Sequence, residues 1–280
     1  MKSINCKGRM VSFEVPKVMG ILNVTPNSFY DGGRHNSIDK LLTQTAQMLA
    51  EGAAIIDVGA YSTQPNAPFV SEEEELQRIV PVITELVAAF PDIVLSIDTF
   101  RAQVAAHTLE AGAAIINDVS AGFLDPDMLH VVGLYKAPYI MMHMKGTPQN
   151  MQQFTDYEDV MHDMIYYFSE RVEAAHKHGI TDLILDPGFG FSKTLDQNYE
   201  VLNKLDLLHA FDLPVLSALS RKSMIYKFFK YSSAEALNGT TVLNTLSLMK
   251  GAHLLRVHDV KEAVECVRLY EKTTKLSNKI

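Results

Sequence analysis

The sequence has few cysteines, no excess of basic residues and no hydrophobic run long enough to cross a membrane. Cys6 and Cys266 lie near opposite ends of the 280-residue chain and form neither a CxxC pair nor a metal-binding spacing. The formal net charge of −8 argues against a general nucleic-acid or anionic-membrane surface. The first residues also lack the apolar core of a signal peptide. We therefore expect a cytoplasmic protein with free thiols, which binds neither nucleic acid nor membrane.

A linker is also lacking, because no low-complexity or proline- and serine-rich segment divides the chain. Hydrophobic residues make up 47% of the sequence and charged residues 21%, which is ample material for a large core. The length alone fits either two ordinary domains or one large α/β barrel.

What the sequence does contain is a regular alternation of short apolar runs with segments of helical periodicity. The runs that predict strands cover residues 18–24, 53–58, 93–97, 113–117, 138–143, 183–186, 214–218 and 253–257. Helical periodicity is present in residues 37–51, 72–90, 101–111, 157–178, 198–209, 234–250 and 260–274. Several of these segments end in glycine, as helix termination favours.

Strands that are apolar along their whole length belong in a parallel sheet covered by helices. Eight strand–helix units in about 260 residues fit one TIM barrel better than two smaller domains. We therefore predict an α/β fold, a single (β/α)8 barrel over residues 17–280, with a doubly wound sheet as the alternative. Residues 1–16 alternate weakly and contain Gly8, which predicts a short hairpin ahead of the barrel.

Polar residues end almost every predicted strand. They are Asn23, Asp57, Asp98, Asn117, His143, Asp186, Ser220 with Arg221 and Lys222, and Arg256 with His258. The carboxyl ends of barrel strands converge on the active site in this fold, so we expect these side chains to surround one pocket. Taken singly, each has another explanation. Asp186, for example, precedes Pro187 and Gly188 and could simply cap a turn.

The predicted pocket divides into two groups by chemistry. A neutral-to-acidic group comprises Asp98, Asn117, Asp186 and Lys222. It suits a flat heterocycle with adjacent hydrogen-bond donors and acceptors, because a carboxylate can accept two hydrogen bonds from an N–C–N edge. A second group suits an anion and comprises Asn23, Arg256 and His258. The loops after strands 7 and 8 form the usual phosphate site of TIM barrels.

Seven motifs in this order resemble those of the dihydropteroate synthases, the folate-pathway enzymes that sulfonamides inhibit. They are GILNVTPNSFYDGG (20–33), SIDTFRAQVA (96–105), INDVSAG (116–122), MHMKGTPQNMQ (142–152), DPGFGFSKT (186–194), LSRKS (219–223) and RVHDV (256–260). The resemblance runs from about residue 17 to the last predicted helix. It implies that 4-aminobenzoate displaces diphosphate from 6-hydroxymethyl-7,8-dihydropterin diphosphate to give 7,8-dihydropteroate.

The resemblance also implies a role for each matching residue. The pterin would be held by Asp98, Asn117, Asp186 and Lys222. The diphosphate would contact Asn23, Arg256 and His258, with Asn23 also a ligand of Mg²⁺. Aminobenzoate would contact Ser223, Phe29, Thr63 and Pro65. Asp98, Asp31 and Lys222 would take part in catalysis, and the family is typically homodimeric.

Two other hypotheses remain open at this stage. One is a relative of another reaction class, such as a methyltetrahydrofolate methyltransferase, which shares the barrel and part of the pterin pocket. The intact SRKS and RVHDV motifs favour a diphosphate substrate instead. The other is a pterin-binding paralogue that has altered or lost its use of the arylamine.

The chain departs from the family pattern in three loops. Asn27 stands where the first loop usually has aspartate, and the second loop reads STQPN instead of STRPG. Ser192 occupies a position where glycine is usual. Gln64 in the second loop removes a fixed charge and a bidentate donor beside the aminobenzoate site.

We predict that Gln64 weakens aminobenzoate binding or alters the response to sulfonamides. The KM for aminobenzoate and inhibition by a sulfonamide, measured in the native chain and in Gln64→Arg, test this prediction. We expect the arginine to lower the KM, since it restores the charged donor. Equal values in both proteins would remove any special role for position 64.

Overall fold

The computed structural model describes residues 2–24, 34–61 and 70–277. The chain begins with two antiparallel strands, β1 (Ser3–Cys6) and β2 (Arg9–Ser12), joined by a tight turn. Lys7 and Gly8 form that turn, both with positive φ. The predicted N-terminal hairpin is confirmed.

Eight further strands form one parallel sheet. They are β3 (Lys17–Asn23), β4 (Ile55–Gly59), β5 (Leu95–Asp98), β6 (Ile115–Asp118), β7 (Tyr139–Met142), β8 (Leu183–Asp186), β9 (Leu216–Ser217) and β10 (Leu254–Val257). Their spatial order is β8-β7-β6-β5-β4-β3-β10-β9. A parallel bridge between Leu185 and Val215 joins the two ends of this order, so the sheet curls into a nearly closed barrel. The predicted TIM barrel is confirmed.

Nine α-helices surround the barrel in the described part of the chain. They are α1 (Arg34–Glu51), α2 (Glu72–Ala89), α3 (Ala102–Glu110), α4 (Met128–Tyr135), α5 (Val160–Lys177), α6 (Leu195–Asn203), α7 (Ser223–Phe229), α8 (Leu237–Met249) and α9 (Val260–Ser277). Short 3-10 segments lie at Met151–Gln153, Leu205–Phe211 and Ser233–Glu235. No helix in these ranges is long and apolar enough to cross a membrane.

Periodicity did not predict α4 or the 7-residue α7, and it extended α6 too far. The α4 sequence MLHVVGLY is apolar almost throughout, so it lacks the polar face that marks an amphipathic helix. The predicted helix over residues 198–209 is instead α6 followed by a 3-10 segment, since α6 starts earlier at a Thr194–Gln197 capping box and ends at Asn203.

The hairpin covers the end of the barrel where the strands begin. Ile4, Cys6, Val11 and Phe13 pack in one cluster with the early residues of the barrel strands, such as Ile184 in β8. Fully burying a side chain such as Ile4 contributes roughly 1.5–3 kcal/mol. This apolar seal leaves the opposite end, where the strands finish, as the mouth of the barrel, and buried polar side chains gather there.

Candidate active site

Arg256, near the end of β10, joins carboxylates from two strands on the other side of β3. Its Nε donates to Oδ2 of Asp57 at 2.6 Å, and its Nη2 donates to Oδ2 of Asp98 at 2.6 Å. The Asp57 side chain is fully buried, and those of Asp98 and Arg256 are 16% and 17% exposed. One guanidinium therefore ties β10 to β4 and β5 at the mouth of the barrel.

Asn117, in β6, donates from Nδ2 to the same Oδ2 of Asp57 at 3.1 Å. A carboxylate oxygen only accepts, so the amide nitrogen of Asn117 must face Asp57. Its Oδ1 accepts no hydrogen bond from a described residue, and so remains available to a ligand as an acceptor. The other oxygen of Asp57, Oδ1, is buried without a hydrogen bond from the described residues.

Electrostatics in this cluster hold Arg256 charged and leave Asp98 titratable. Burial raises the pKa of Asp98 to about 7, with Arg256 opposing the rise and Asp57 adding to it. Burial also disfavours the charged form of Arg256, but Asp57 and Asp98 outweigh burial and raise its pKa. Carboxyl groups that titrate near neutral pH in a cleft are typical of active sites.

Asp186 and Lys222 are two further groups of opposite charge at the mouth, and each affects the pKa of the other. Oδ1 of Asp186, at the end of β8, accepts a hydrogen bond from the Gly188 amide at 2.8 Å. Lys222 donates to the carbonyl of Phe189 in the same loop. Burial raises the pKa of Asp186, which Lys222 opposes, and burial lowers the pKa of Lys222 to about 8, which Asp186 opposes. Each charge thus stabilises the other.

His258 is an exposed imidazole held by Ser220, and it presents one nitrogen outward. Oγ of Ser220 accepts from the backbone N–H of His258 at 3.1 Å and lies 2.9 Å from its Nδ1. When the hydroxyl donates to Nδ1, the neutral ring carries its proton on Nε2. That N–H is a donor suited to an anion at the mouth.

Arg221 does not face this anion position. It forms a bidentate pair with Asp259, with both N···O distances 2.8 Å. It also donates to the carbonyl oxygens of Ser233 and Ala234. Of the three residues Ser220, Arg221 and Lys222 in the loop after β9, Arg221 contacts Asp259 and loop carbonyls, whereas Ser220 holds His258 and Lys222 contacts the loop after β8.

Known proteins share both the sequence and this architecture. A family model described as "Pterin binding enzyme" matches residues 19–258. The dihydropteroate synthase of Escherichia coli K12 is 42% identical over 269 residues, 95% of each chain. The chain belongs to the dihydropteroate synthase family. The Yersinia pestis dihydropteroate synthase, in complex with a sulfonamide drug, has a TM-score of 0.91 at 42% identity, covering 98% of this chain and 99% of that one. The Xanthomonas albilineans dihydropteroate synthase with 4-aminobenzoic acid has a TM-score of 0.89 at 37% identity, covering 97% and 98%.

Eight of the residues matched to the dihydropteroate synthases lie in the described part of the chain, all at the carboxyl ends of the strands, in the loops that follow or at the start of the next helix. They are Asn23, Asp98, Asn117, Asp186, Lys222, Ser223, Arg256 and His258. Asn23 is exposed at the end of β3, and Ser223 begins α7 directly after Lys222. The others from that prediction, Phe29, Asp31, Thr63 and Pro65, lie outside the described residues, as do Asn27, Gln64 and Asn66. The individual roles stay predictions.

Two features of the mouth were not found from the sequence. Arg256, grouped with the anion-binding residues, is hydrogen-bonded to Asp98 of the heterocycle group, so the two groups adjoin in space. Asp57 ended a predicted strand but received no role. A charge inside the apolar run IIDVG was the available signal, because a buried carboxylate requires a partner.

The structure also accommodates the departure at Ser192. This residue has φ of 43°, in the left-handed region that favours glycine. Its buried Oγ accepts from the backbone N–H of Lys145 at 3.0 Å and from the hydroxyl of Tyr157 at 3.3 Å. These two hydrogen bonds offset the backbone strain of a non-glycine residue.

We predict that Asp57→Asn lowers the free energy of unfolding by about 2–4 kcal/mol, because it removes one partner of a buried ion pair. Denaturant unfolding measures this change. Glu173→Gln is the matched control, since Glu173 pairs with Lys177 on the surface of α5 with both side chains more than two-thirds exposed. The control should leave the unfolding midpoint unchanged. Equal midpoints for both variants would show that Asp57 does not brace Arg256.

Proposed function

We propose that this chain is a transferase that joins 6-hydroxymethyl-7,8-dihydropterin diphosphate to 4-aminobenzoate, releasing diphosphate and forming 7,8-dihydropteroate. The observation that carries the proposal is the mouth of the barrel, where carboxylate and amide groups braced by Arg256 lie together with Asp186 and the half-buried ammonium of Lys222. Membership of the dihydropteroate synthase family and the fold shared with its solved members support it.

The buried groups fit the hydrogen-bonding pattern of a pterin. Asp186 is 3% exposed and can accept two hydrogen bonds from the amino-pyrimidine edge. Asn117 offers its Oδ1 to a ring or amino N–H. Lys222 supplies a cationic donor for the ring carbonyl, and its ammonium lies 4.9 Å from the centroid of Phe191. The set therefore orients a flat, polar ring between β6, β8 and the loop after β9.

The diphosphate end of the substrate would meet Asn23, His258 and the remaining N–H groups of Arg256. Two guanidinium nitrogens of Arg256 already bond to carboxylates, so Nη1 is the nitrogen left to face an anion. His258 adds the Nε2–H donor described above. Both donors stabilise the negative charge that develops on the leaving diphosphate.

Mg²⁺ fits this site as an ion carried by the diphosphate. No cluster of three His, Cys, Asp or Glu side chains in the described ranges could hold a metal. Mg²⁺ often uses one or two protein oxygens together with substrate phosphates and water, and the exposed amide of Asn23 offers one such oxygen. When bound, the ion would neutralise charge on the diphosphate.

The reaction breaks one C–O bond and forms one C–N bond. The bond from the exocyclic methylene to the diphosphate breaks, and its electron pair leaves with the diphosphate. The lone pair of the arylamine bonds to the methylene carbon, and the amine nitrogen then loses a proton. Positive charge on the methylene is stabilised by the Asp98 carboxylate, with Asp31 in the same predicted role. The arylamine is neutral at pH 7, so the site does not require a strong base.

The proposal also includes a homodimer, on the basis of the family resemblance, and a cytoplasmic location, on the basis of the composition.

The purified chain, supplied with pterin diphosphate, Mg²⁺ and aminobenzoate, should release diphosphate and form dihydropteroate. Asp186→Asn should lower kcat/KM for the pterin by about 10–100-fold, because hydrogen bonds to a charged group are lost. Its melting temperature should stay close to the native value. Pterin binding without diphosphate release would instead support a non-catalytic paralogue or a methyltransferase relative, and near-native turnover of the variant would contradict the pocket assignment.

The pKa of Lys222 predicts that kcat/KM for the pterin falls on the alkaline side of its pH profile. The ammonium of Lys222 loses the proton near pH 8, so kcat/KM for the pterin should fall as the pH rises through about 8. Lys222→Arg keeps its charge throughout this range, so the variant should lack this fall even though its activity is lower overall. If kcat/KM fell with the same midpoint in both proteins, the fall would belong to a group other than Lys222.

A further inference from the structure

Lys193 is a buried cation to which the proposed reaction gives no task. It lies in the loop after β8 and is 4% exposed. Its Nζ lies 3.0 Å from Nδ1 of His143 and 3.1 Å from the carbonyl oxygens of both Gly188 and Phe191. The carbonyl of His143 is a further contact at 3.5 Å. Within the described ranges, Lys193 forms hydrogen bonds but no ion pair.

This position disfavours the charge that Lys193 carries. Burial lowers its pKa to about 7, with Asp186 opposing the fall and Lys222 adding to it. A buried cation without a directly paired carboxylate contributes little to stability, and an apolar side chain of similar length would fill the same space. The ammonium therefore points to a role in the arrangement of the groups that it contacts.

Those groups define the turn Gly188–Phe191. Lys193 binds the carbonyl at each end of the turn, and the amide of Phe191 donates to the Gly188 carbonyl at 3.1 Å. The turn lies directly on the end of β7, because a Cβ at Gly188 would collide with the carbonyl oxygen of His143. Lys193 contacts that same residue, which directly follows β7, so it clamps the turn against the end of the neighbouring strand.

The same turn also holds the two charged groups of the pterin site, Asp186 and Lys222. The amide of Gly188 donates to Asp186, and the carbonyl of Phe189 accepts from Lys222. A Cβ at Gly190 would lie 3.4 Å from Cδ of Lys222, so the turn also packs along the stem of that lysine. A shift of the turn would displace Asp186 and Lys222 together.

We propose that Lys193 is a positioning residue of the pterin site, whose ammonium fixes the Gly188–Phe191 turn so that the turn holds Asp186 and Lys222 in their binding geometry. Lys193 acts through the turn and does not touch the substrate. This inference rests on the proposed function for its pterin ligand.

Lys193→Met tests the proposal, since methionine keeps most of the length and removes the ammonium. We expect the KM for pterin diphosphate to rise by about tenfold or more, with the KM for aminobenzoate changed less than twofold. A purely structural defect would reduce the amount of folded enzyme, which lowers the apparent kcat and leaves KM unchanged. An unchanged pterin KM would therefore overturn the proposal.

Lys145→Met is the matched control. Lys145 is also near His143, but its Nζ pairs with Asp163 at 2.5 Å and lies over the ring of Tyr157. Its ammonium makes no hydrogen bond to the carbonyls of the Gly188–Phe191 turn in the described part of the chain. The control should keep the native KM for the pterin, and a rise equal to that of Lys193→Met would show that general loss of positive charge is responsible.

A double-mutant cycle adds a readout that a structural role would not move. The Kd of 6-hydroxymethylpterin, measured by calorimetry without turnover, is compared for Lys193→Met, Asp186→Asn and the double variant. If Lys193 acts through Asp186, the factor by which Lys193→Met raises the pterin Kd should be at least about threefold smaller in the Asp186→Asn background than in the native chain. Full additivity would contradict the proposal. Native binding without dihydropteroate formation would refute the proposed function but leave this comparison valid.

If Lys193→Met does not fold, Lys193→Gln retains an N–H donor with a shorter reach and serves in its place. Its pterin Kd should rise by at least about threefold, and a native Kd would overturn the proposal.

Discussion

The mouth of this barrel depends on the two hydrogen bonds from Arg256 to Asp57 and Asp98. Two carboxylates this close and this buried would repel each other, and each would be costly to ionise alone. The guanidinium offsets both penalties and fixes three strands at once. Through Asp57 it also sets the amide of Asn117, which leaves the Oδ1 of Asn117 as an acceptor for a ligand. One ion network thus determines both the charge and the hydrogen-bond polarity of the site.

The remainder of the fold confines polar groups to this end of the barrel. The N-terminal hairpin closes the opposite end with apolar side chains. At the mouth, the loop after β8 carries a second network in which Asp186 and Lys222 are held by the turn that Lys193 binds. Arg256 and Lys193 have similar tasks at the mouth of the barrel: each is a cation that orders groups expected to touch the ligand.

The sequence predicted the eight strands and most of the residues at their ends, because buried parallel strands are apolar and a polar residue at the end of such a run is conspicuous. It did not predict α4, whose apolar sequence lacks periodicity. It also gave no task to Asp57 or Lys193. Their partners are set by the fold: Asp57 and Arg256 are separated by 199 positions, and Lys193 is bound mainly by backbone carbonyls, which every residue carries.

The most direct test of the central claim is a crystal structure of the chain with a pterin bound at the mouth. We expect the hydrogen bonds from Arg256 to Asp57 and Asp98 to persist. Asp186 and Oδ1 of Asn117 should contact the ring, with Lys222 still within reach of the Phe189 carbonyl. A pterin bound elsewhere, or one that binds Asp57 directly after Arg256 has left it, would contradict the claim that this ion network is the prebuilt frame of the site.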